Sequence, residues 1–456
     1  MLQRNAGTYR KIQKDEVATV VRMAWPSIME YFFVALAGMV DTMMVSSIGP
    51  EAVAAVGLTT QPKFIGLALF IASNVAISSI IARRRGEERR DSANQTLMLA
   101  LSFTVLMSLV IGFLCVSLAD PLMKLCGSKP ETHDLAVEYF RIIMGCMIFN
   151  VITMVINAAQ RGSGNTKIAM RTNVVSNCCN IVFNYLLIGG HLGFPKMGVR
   201  GAAIATVLGT VVACVMSIQS LFVKGSFVSI PYCVRNRLKF TLEPLGIMAK
   251  LGSSVLIEQV LLRIGFLATA LMAADMGTAD MAAHQIGMNA LSLSFSFGDG
   301  LQSAAVALIG QSLGRKDPSQ AKQYGHICQR VGNVISILLS LFFFFGGRAF
   351  YGLFFEDQAI IQTGVTIMRI IVVIVLFQVP QVVYTGCLRG AGDVFFTMIA
   401  STISVTFVRS IVSWVMCYPL GLGIAGIWFG IVADQGCRLL FSSYRFASEK
   451  WMKIVV

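Results

Sequence analysis

The sequence predicts an all-α integral membrane protein with twelve transmembrane helices, arranged as two six-helix lobes related by a pseudo-twofold axis. The first observation is composition: of 456 residues, 55% are hydrophobic and 13% are charged, with a mean hydropathy of +0.72. A soluble globular protein of this length does not reach that balance. The second observation is a series of apolar stretches long enough to cross a bilayer, and the third is an internal repeat.

Twelve apolar stretches, separated by polar residues or by Gly and Pro, form the series of predicted spans. In the first half they cover 17–45, 52–81, 94–118, 135–159, 168–189 and 201–223. In the second half they cover 243–272, 281–312, 326–347, 360–386, 395–418 and 424–446. Each half has an even number of spans, so both halves enter the membrane from the same side.

An internal duplication relates the two halves. Arg-Gly-Ser-Gly-Asn at 161–165 reappears as Arg-Gly-Ala-Gly-Asp at 389–393, a shift of 228 residues, and the same shift carries Gly86 onto Gly314. Further matches are Ala54-Ala55 with Ala282-Ala283 at the same shift, and Gly201 with Gly426 at a shift of 225. Halves that enter from the same side are related by an axis along the membrane normal.

The repeat also predicts the domain boundaries. We expect an N-lobe at residues 1–223, a cytoplasmic linker at 224–242 and a C-lobe at 243–456. The linker contains Pro231 and four basic residues, which is typical of a polar connection between two units.

Basic residues in the predicted loops fix the orientation. Twenty-four Lys and Arg residues fall on the side of the N-terminus. The opposite side has five, namely Lys124, Lys129, Lys196, Arg200 and Arg348. We therefore expect a multi-pass protein of the plasma membrane, or of the inner membrane in a bacterium, with both termini cytoplasmic. Topology also explains the net charge of +14, so we expect no nucleic-acid partner.

The sequence gives no indication of an enzyme or of a resident metal. The eleven cysteines include no CxxC pair, and the four histidines have no metal-ligand spacing. Neither an HExxH nor a GxSxG signature occurs. We expect no catalytic activity and no cofactor.

The repeated residues, in their order and spacing from about 20 to 451, resemble the multidrug and toxic compound extrusion (MATE) family. The segments that carry the resemblance are Ala-Arg-Arg-Arg-Gly-Glu at 82–87, Gly-Gln-Ser-Leu-Gly-Arg-Lys-Asp at 310–317, the two Arg-Gly-x-Gly loops, Ala-Ala-His-Gln-Ile at 282–286 and Gly-Ile-Ala-Gly-Ile-Trp at 423–428.

The resemblance implies two lobes around a central cleft and a secondary active exporter of drugs or organic cations. Such a protein works by alternating access, in antiport with H⁺ or Na⁺, on small amphiphilic or cationic substrates. We expect a monomer surrounded by membrane lipids. Asp41 matches the family's first-span acid, whereas Asn184 stands where many members have a fifth-span acid and Ser254 replaces a seventh-span proline.

Asp41 is the first candidate for the coupling site. A carboxylate inside a span costs about 2.5–3.5 kcal/mol on insertion scales, so an acid that is kept there usually has a function. The fifth span adds a stripe at helical spacing, Asn173, Asn177, Asn180 and Asn184, and the second half lacks it at Ser401, Val405, Val408 and Val412. Asp41 with Asn177, Asn180 and Asn184 is therefore the predicted H⁺ or Na⁺ site, with Asp41, Asn180 and Asn184 as oxygen ligands for Na⁺. The alternative is hydrogen bonding that only packs the helices.

The candidates for the substrate cleft are Glu30, Glu258, Asp299 and Arg263. Glu30 maps onto Glu258 at the shift of 228, so the two acids lie at equivalent depths. The alternative is that each is hydrogen-bonded within its own lobe. Asp299, between two glycines, is expected either to pair with Arg263 or to line the cleft. Arg161 and Arg389 are interpreted as structural, because they lie in glycine turns at positions that fix topology.

Three other functions are weighed against export. A flippase for lipid-linked precursors has similar lobes but often has extra spans and a basic cavity, whereas Arg263 is the one basic residue interpreted as deep in the membrane. A major-facilitator transporter would have an Asp-Arg-x-Gly-Arg loop after the second span, which is absent. A membrane scaffold or receptor would leave the costly membrane acids without a purpose.

Overall fold

The computed structural model describes residues 14–354 and 357–454, and within these ranges the chain is helical, without a β-strand. Arg4, Arg10 and Lys11, which belong to the predicted basic N-terminal side, lie outside the described residues. The first half contains α1 (Lys14–Ser46), α2 (Pro50–Gly86), α3 (Arg90–Ser117), α4 (Ala119–Leu125), α5 (Pro130–Gly145), α6 (Met147–Gly162), α7 (Thr166–Gly189) and α8 (Gly198–Ser220).

The second half begins after a short helix in the linker. Its helices, with that linker helix first, are α9 (Ile230–Arg235), α10 (Glu243–Asp275), α11 (Thr278–Gly314), α12 (Pro318–Gly352), α13 (Gln358–Gly390), α14 (Val394–Thr402), α15 (Ser410–Cys417) and α16 (Ile424–Ala447). A seven-residue π-helix, Ile403–Arg409, joins α14 to α15 within one continuous crossing.

The twelve predicted spans correspond to twelve helical crossings. Among the described residues, nine helices are long and apolar enough to cross a membrane, and α5 with α6 makes a tenth crossing that bends by 46°. The other two are α7, which contains the asparagine stripe, and α11, which contains Asp299. Polar side chains lower the hydropathy of these two helices, which is why sequence composition alone marks them less clearly.

Both lobes repeat the same close helix packing. A Cβ atom on Gly162 would lie 2.5 Å from the carbonyl oxygen of Ser78, and one on Gly390 would lie 2.7 Å from that of Val306. The second pair follows the first by 228 residues at both positions. Only glycine permits this approach of two backbones. The pseudo-twofold relation predicted from the repeat is therefore present in the packing, and the predicted fold class is confirmed.

The two equivalent helices α2 and α11 cross at the end of the molecule that carries Arg83–Arg85 and Arg315, which we call the basic end. Gly86 faces the carbonyl group of Gln311, and Gly314 faces that of Arg83, so close that neither glycine has room for a Cβ atom. Glycines related by the repeat thus form the crossing of the two lobes.

Hydrogen bonds also join the lobes at the basic end. Ser79 Oγ donates to the carbonyl oxygen of Arg389 at 2.8 Å. Gln311 Nε2 donates to the carbonyl oxygen of Gly162 at 3.0 Å. The lobes are therefore in direct contact at this end.

The predicted linker at 224–242 contains α9 and packs against the start of α3. Arg90 Nη2 donates to the carbonyl oxygen of Ser226 at 2.6 Å, and Tyr232 donates its hydroxyl hydrogen to Asp91 at 2.7 Å. These hydrogen bonds fasten the linker to the N-lobe. The boundaries of the two lobes and of the linker stay a prediction.

Candidate functional site

Two asparagines of α7 contact Asp41 of α1. Asn184 Nδ2 donates to Asp41 Oδ1 at 2.7 Å. We assign the Asn180 amide so that its oxygen accepts from Thr206 of α8, because only this orientation lets its nitrogen donate to Asp41, at 2.6 Å. Asn180 and Asn184 are buried, while Asp41 is partly exposed. One carboxylate thus receives two amide donors from the neighbouring helix.

The register of α1 against α7 explains this arrangement. Asn173 Nδ2 donates to Glu30 at 2.7 Å, and both this bond and the one from Asn184 to Asp41 join residues 143 positions apart. The two helices therefore run parallel, and eleven residues, which is about three turns, separate both the acids and their partners. The asparagine stripe is a row of donors that matches the acid face of α1.

Asn177 is the member of the predicted site that does not reach Asp41. Its buried Nδ2 has no hydrogen-bond partner among the described residues. Oδ1 of Asn184 is likewise buried without a partner. The second atom is an unused oxygen in the side chain that already contacts Asp41, so rotation of this amide would bring a second oxygen ligand beside the carboxylate.

Lys63 was missed in reading the sequence. It lies on α2 and interacts electrostatically with Asp41, although no ion pair within 4 Å joins them among the described residues. A lysine within the predicted span at 52–81 was the available signal, because a basic residue inside a span is as costly as an acid. Thr206, which holds Asn180 in place, gave no signal of its own.

Glu30 and Glu258 are neutralised by the arginines of the repeated loops. Arg161 Nη1 lies 2.7 Å from Glu30, and Arg389 Nη2 lies 2.6 Å from Glu258. In both pairs the partners are 131 residues apart, so the duplication carries the whole ion pair. Both carboxylates are nearly inaccessible, with 2% exposure each. Neither acid presents an unbalanced negative charge to the cleft.

Asp299 and Arg263 do not pair with each other among the described residues. The guanidinium of Arg263 lies 4.4 Å above the ring of Phe64, which belongs to α2. Asp299 lies at a junction of two cavities: a small one of about 60 Å³ lined by Arg161 and Arg389, and a larger one of about 320 Å³ in the C-lobe. The structure thus places Asp299 at the cleft and Arg263 against the opposite lobe.

A buried charge cluster in the C-lobe was not predicted. Arg409 donates to Asp434 Oδ2 from Nη2 at 2.5 Å and from Nε at 3.1 Å. Arg438 donates to the same oxygen from Nη2 at 3.0 Å, and its Nε lies 2.9 Å from Oδ1. Arg409 and Asp434 are fully buried. We call Arg409, Asp434 and Arg438 the C-lobe triad.

The C-lobe triad corrects one inference from the sequence. Arg263 is not the one basic residue deep in the membrane, because Arg409 and Arg438 lie within the last two crossings. Arg409 ends the π-helix, whose hydrogen bonds run to the fifth residue instead of the fourth, and this wider turn changes which side chains face α16. Sequence periodicity does not reveal a π-helix, but Asp434 and Arg438 at a spacing of four in an apolar span were a signal.

These contacts define what each lobe can do chemically. In the N-lobe, protonation of Asp41 would turn one acceptor oxygen into a donor and break a hydrogen bond from an asparagine amide. Binding of Na⁺ would require the amide oxygens of Asn180 and Asn184 to turn toward Asp41. Among the described residues, no group of three or more His, Cys, Asp or Glu side chains could hold a metal ion. In the C-lobe, the buried acids Glu258 and Asp434 are in ion pairs, whereas Asp299 and Arg263 have no ion pair within 4 Å among the described residues.

Comparison with known proteins gives consistent results for family and fold. The MatE family model matches the chain twice, at residues 26–186 and 255–415. The chain is 28% identical over 455 residues to "Probable multidrug resistance protein NorM" of Thermotoga maritima, which covers 98% of this chain and 96% of that protein. It is 25% identical over 435 residues to the protein of the same name from Burkholderia mallei, with 94% and 92% covered.

A solved structure has the same fold. "Outward-facing conformation of a multidrug resistance MATE family transporter of the MOP superfamily" superposes with a TM-score of 0.88 at 24% identity. The superposition covers 95% of this chain and 97% of that one. The two family matches fall one in each half, as the internal duplication requires.

Proposed function

The chain belongs to the MATE (MatE) family, and from this premise we propose that it is a secondary active multidrug exporter. It would move small amphiphilic or cationic compounds across the plasma membrane in antiport with H⁺ or Na⁺. Both termini would lie in the cytoplasm, at the basic end, and the chain would act as a monomer without a cofactor.

The observation that supports ion coupling most is the contact of Asp41 with Asn180 and Asn184. Glu30 has a guanidinium partner at 2.7 Å, whereas no basic group lies within 4 Å of Asp41 among the described residues. The amides that contact Asp41 are neutral, and Lys63 acts on it only from beyond 4 Å, so the charge is balanced only in part and a proton or Na⁺ gains electrostatic energy there. Asp41 is therefore the residue to which we assign coupling.

Ion binding at Asp41 would act on the packing of α1 against α7. Each hydrogen bond from an asparagine amide to the Asp41 carboxylate joins α7 to α1. A change in the charge of Asp41 therefore changes the hydrogen bonds between these helices directly. Pro26 lies within α1 and removes one backbone hydrogen bond, which gives this helix a point at which to bend. The N-lobe would thereby convert ion binding into the movement that opens and closes the cleft.

The test is transport of a fluorescent cation by the purified protein in liposomes, under a pH gradient and a Na⁺ gradient applied separately. We expect Asp41→Asn to abolish transport driven by whichever gradient drives the wild type. The matched control is Asp134→Asn, an acid-to-amide change at an exposed residue for which the described structure gives no hydrogen bond or ion pair. Wild-type transport by Asp41→Asn would refute coupling at this residue.

A second candidate function is translocation of lipid-linked or amphiphilic precursors. Arg409 and Arg438 favour it, because a basic site inside a lobe suits a lipid with an anionic headgroup. The described residues form twelve crossings and no further span, which favours the exporter. Translocation of a fluorescent anionic lipid in the same liposomes, without transport of the cation, would select the flippase.

A further inference from the structure

The C-lobe triad has one more positive charge than negative charge. Asp434 is the only carboxylate within 4 Å of Arg409 or Arg438 among the described residues. Arg409 also has an Nη1 nitrogen that is buried without a hydrogen-bond partner, and its guanidinium lies 4.6 Å above the ring of Phe266. A surplus guanidinium inside a membrane lobe is costly unless an anion balances it.

One edge of the triad opens onto a cavity. Arg438, with 12% of its side chain exposed, lines the C-lobe cavity of about 320 Å³. Phe266, on which Arg409 packs, lines the same cavity. The surplus charge is therefore accessible from the cavity through Arg438, while Arg409 stays behind it.

The same cavity contains one acid that is not paired. Glu258 and Arg389 both line it, but they neutralise each other at 2.6 Å. Asp299 also lines it and has no ion pair within 4 Å among the described residues. Besides this balanced pair, the cavity presents Arg438 on α16, which shares the single carboxylate of Asp434 with Arg409, and Asp299 on α11.

The rest of the lining suits an amphiphile. Leu262, Phe266, Phe295 and Val382 supply apolar surface between the two charged groups. Neutral polar groups line the rest of the cavity, namely Gln259, Gln302, Gln381, Thr385 and Ser401. Apolar surface beside polar groups at fixed positions can hold both parts of an amphiphile.

We propose that this cavity binds zwitterionic amphiphiles, with the anionic group of the ligand at Arg438 and the cationic group at Asp299. The inference rests on the proposed export function and names its substrate class. A guanidinium offers five N–H donors, of which Asp434 takes only part, so Arg438 keeps donors for a carboxylate or phosphate oxygen. Arg409 supports the site as a positioning residue, because it shares Asp434 and raises the positive potential behind Arg438.

The site belongs to the C-lobe alone. At a shift of 228, Arg409 corresponds to Ile181, and at the late shift of 225, Asp434 and Arg438 correspond to Gly209 and Ala213. Recognition of the ligand's anionic group is thus separated from Asp41, which lies in the other lobe.

The experiment uses two dyes that differ only in one charge. Rhodamine 110 has a free carboxylate, and rhodamine 123 is its methyl ester and carries only the positive charge. Binding of each dye to the purified full-length protein is measured by fluorescence anisotropy, and transport is measured separately in liposomes. We expect Arg438→Gln to weaken rhodamine 110 binding roughly tenfold or more, the effect of losing a charge-assisted hydrogen bond, with rhodamine 123 changed less than about twofold.

Three further variants keep the test specific. Arg438→Lys should restore part of the preference for the carboxylate dye, because it retains the charge without the planar fork. Asp299→Asn should weaken both dyes, since both carry the cationic group. Arg445→Gln is the matched control on α16, because Arg445 pairs with Asp393 at 2.6 Å and does not line the cavity.

The outcomes separate this inference from the exporter proposal. A loss of both dyes to the same degree in Arg438→Gln, with a lower melting temperature, would show that the triad only locks α16 in place. Unchanged binding of both dyes would also overturn the inference. Selective loss of rhodamine 110 binding would support the inference even if the wild type transported neither dye, a result that would count against export alone.

Discussion

At the scale of single residues, the partner of an acid decides its role more than its depth in the membrane does. Glu30 and Asp41 lie eleven residues apart on the same helix face, yet one is paired with Arg161 and the other with amides. A buried carboxylate with a guanidinium at 2.7 Å already has a counter-charge beside it, and it cannot exchange that counter-charge easily. Asp41 has no such partner, so its charge is the one that an ion can balance.

Glu30→Gln is expected to destabilise the protein rather than to uncouple it. The substitution leaves Arg161 charged and buried, which costs about 3–5 kcal/mol when a buried pair loses one partner. Glu258→Gln should have a similar effect, because Arg389 occupies the equivalent position in the C-lobe. The measurement is thermal unfolding of the purified variants in detergent.

The double variant Glu30→Gln/Arg161→Gln separates charge from packing. Removing both charges should recover at least half of the lost stability, since the penalty comes from the unpaired guanidinium. A Glu30→Gln variant as stable as the wild type, or a double variant no better than the single one, would contradict the assignment of a structural ion pair.

The sequence could predict the Asp41 contacts but not the ion pairs. The spacing of eleven residues between Glu30 and Asp41 recurs between Asn173 and Asn184, so two parallel helices bring both pairs together without further information. Arg161 lies in the last turn of α6, and nothing local in the sequence shows that its side chain reaches Glu30. The ion pair joins Arg161 on α6 to Glu30 on α1, 131 residues earlier, and so depends on how these two helices pack in the folded protein.

At the scale of elements, the π-helix Ile403–Arg409 determines the C-lobe site. It packs closely against α10: a Cβ atom on Gly265 would lie 2.8 Å from Cγ1 of Val405, and Thr406 donates to the carbonyl oxygen of Leu261 at 3.0 Å. Apolar periodicity predicts a span at 395–418 and is silent on whether hydrogen bonds run to the fourth or the fifth residue. The position of Arg409 therefore could not be read from the sequence.

Gly265→Ala should weaken this contact. The added methyl group would meet the Val405 backbone and side chain, and such overpacking typically costs about 1–3 kcal/mol. Gly252→Ala is the matched control, because it lies in the same helix with no atom within 4 Å of its Cβ position. Both variants gain the same helix propensity, up to about 1 kcal/mol, so their difference in unfolding temperature isolates the contact. Equal stability of the two variants would show that the π-helix shifts to make room for the added methyl group.

At the scale of the whole molecule, the duplication predicts two equivalent lobes but not how they touch. The shift of 228 aligns Gly86 with Gly314, and the structure shows why both are glycine: each faces the backbone of the other lobe at the crossing of α2 and α11. Contacts on a pseudo-twofold axis join a residue to its own repeat, so no pattern within one half signals them. The contact between α2 and α11 at the basic end can therefore be seen only in the folded structure.

Alternating access requires the contact at the basic end to break during each transport cycle, so a covalent bond across it should stop transport. Ala82 and Gly310 are related by the repeat, and a Cβ atom on Gly310 would lie 2.7 Å from that of Ala82. A disulfide joins Cβ atoms about 3.5–4.5 Å apart, so a slight separation of the helices accommodates one. We expect Ala82→Cys/Gly310→Cys, in a chain whose eleven native cysteines are replaced, to lose transport on oxidation and regain it with reductant.

The matched control places a disulfide within a single lobe. A Cβ atom on Gly347 would lie 3.0 Å from that of Met368, and both residues belong to the C-lobe, on α12 and α13. If the lobes move as rigid bodies, oxidation of Gly347→Cys/Met368→Cys leaves transport intact, because no contact between the lobes is fixed. Transport that persists with the link between Ala82→Cys and Gly310→Cys fully formed would mean that the basic end stays closed. Substrate would then have to pass within a lobe, and the cleft between the lobes would not be the pathway.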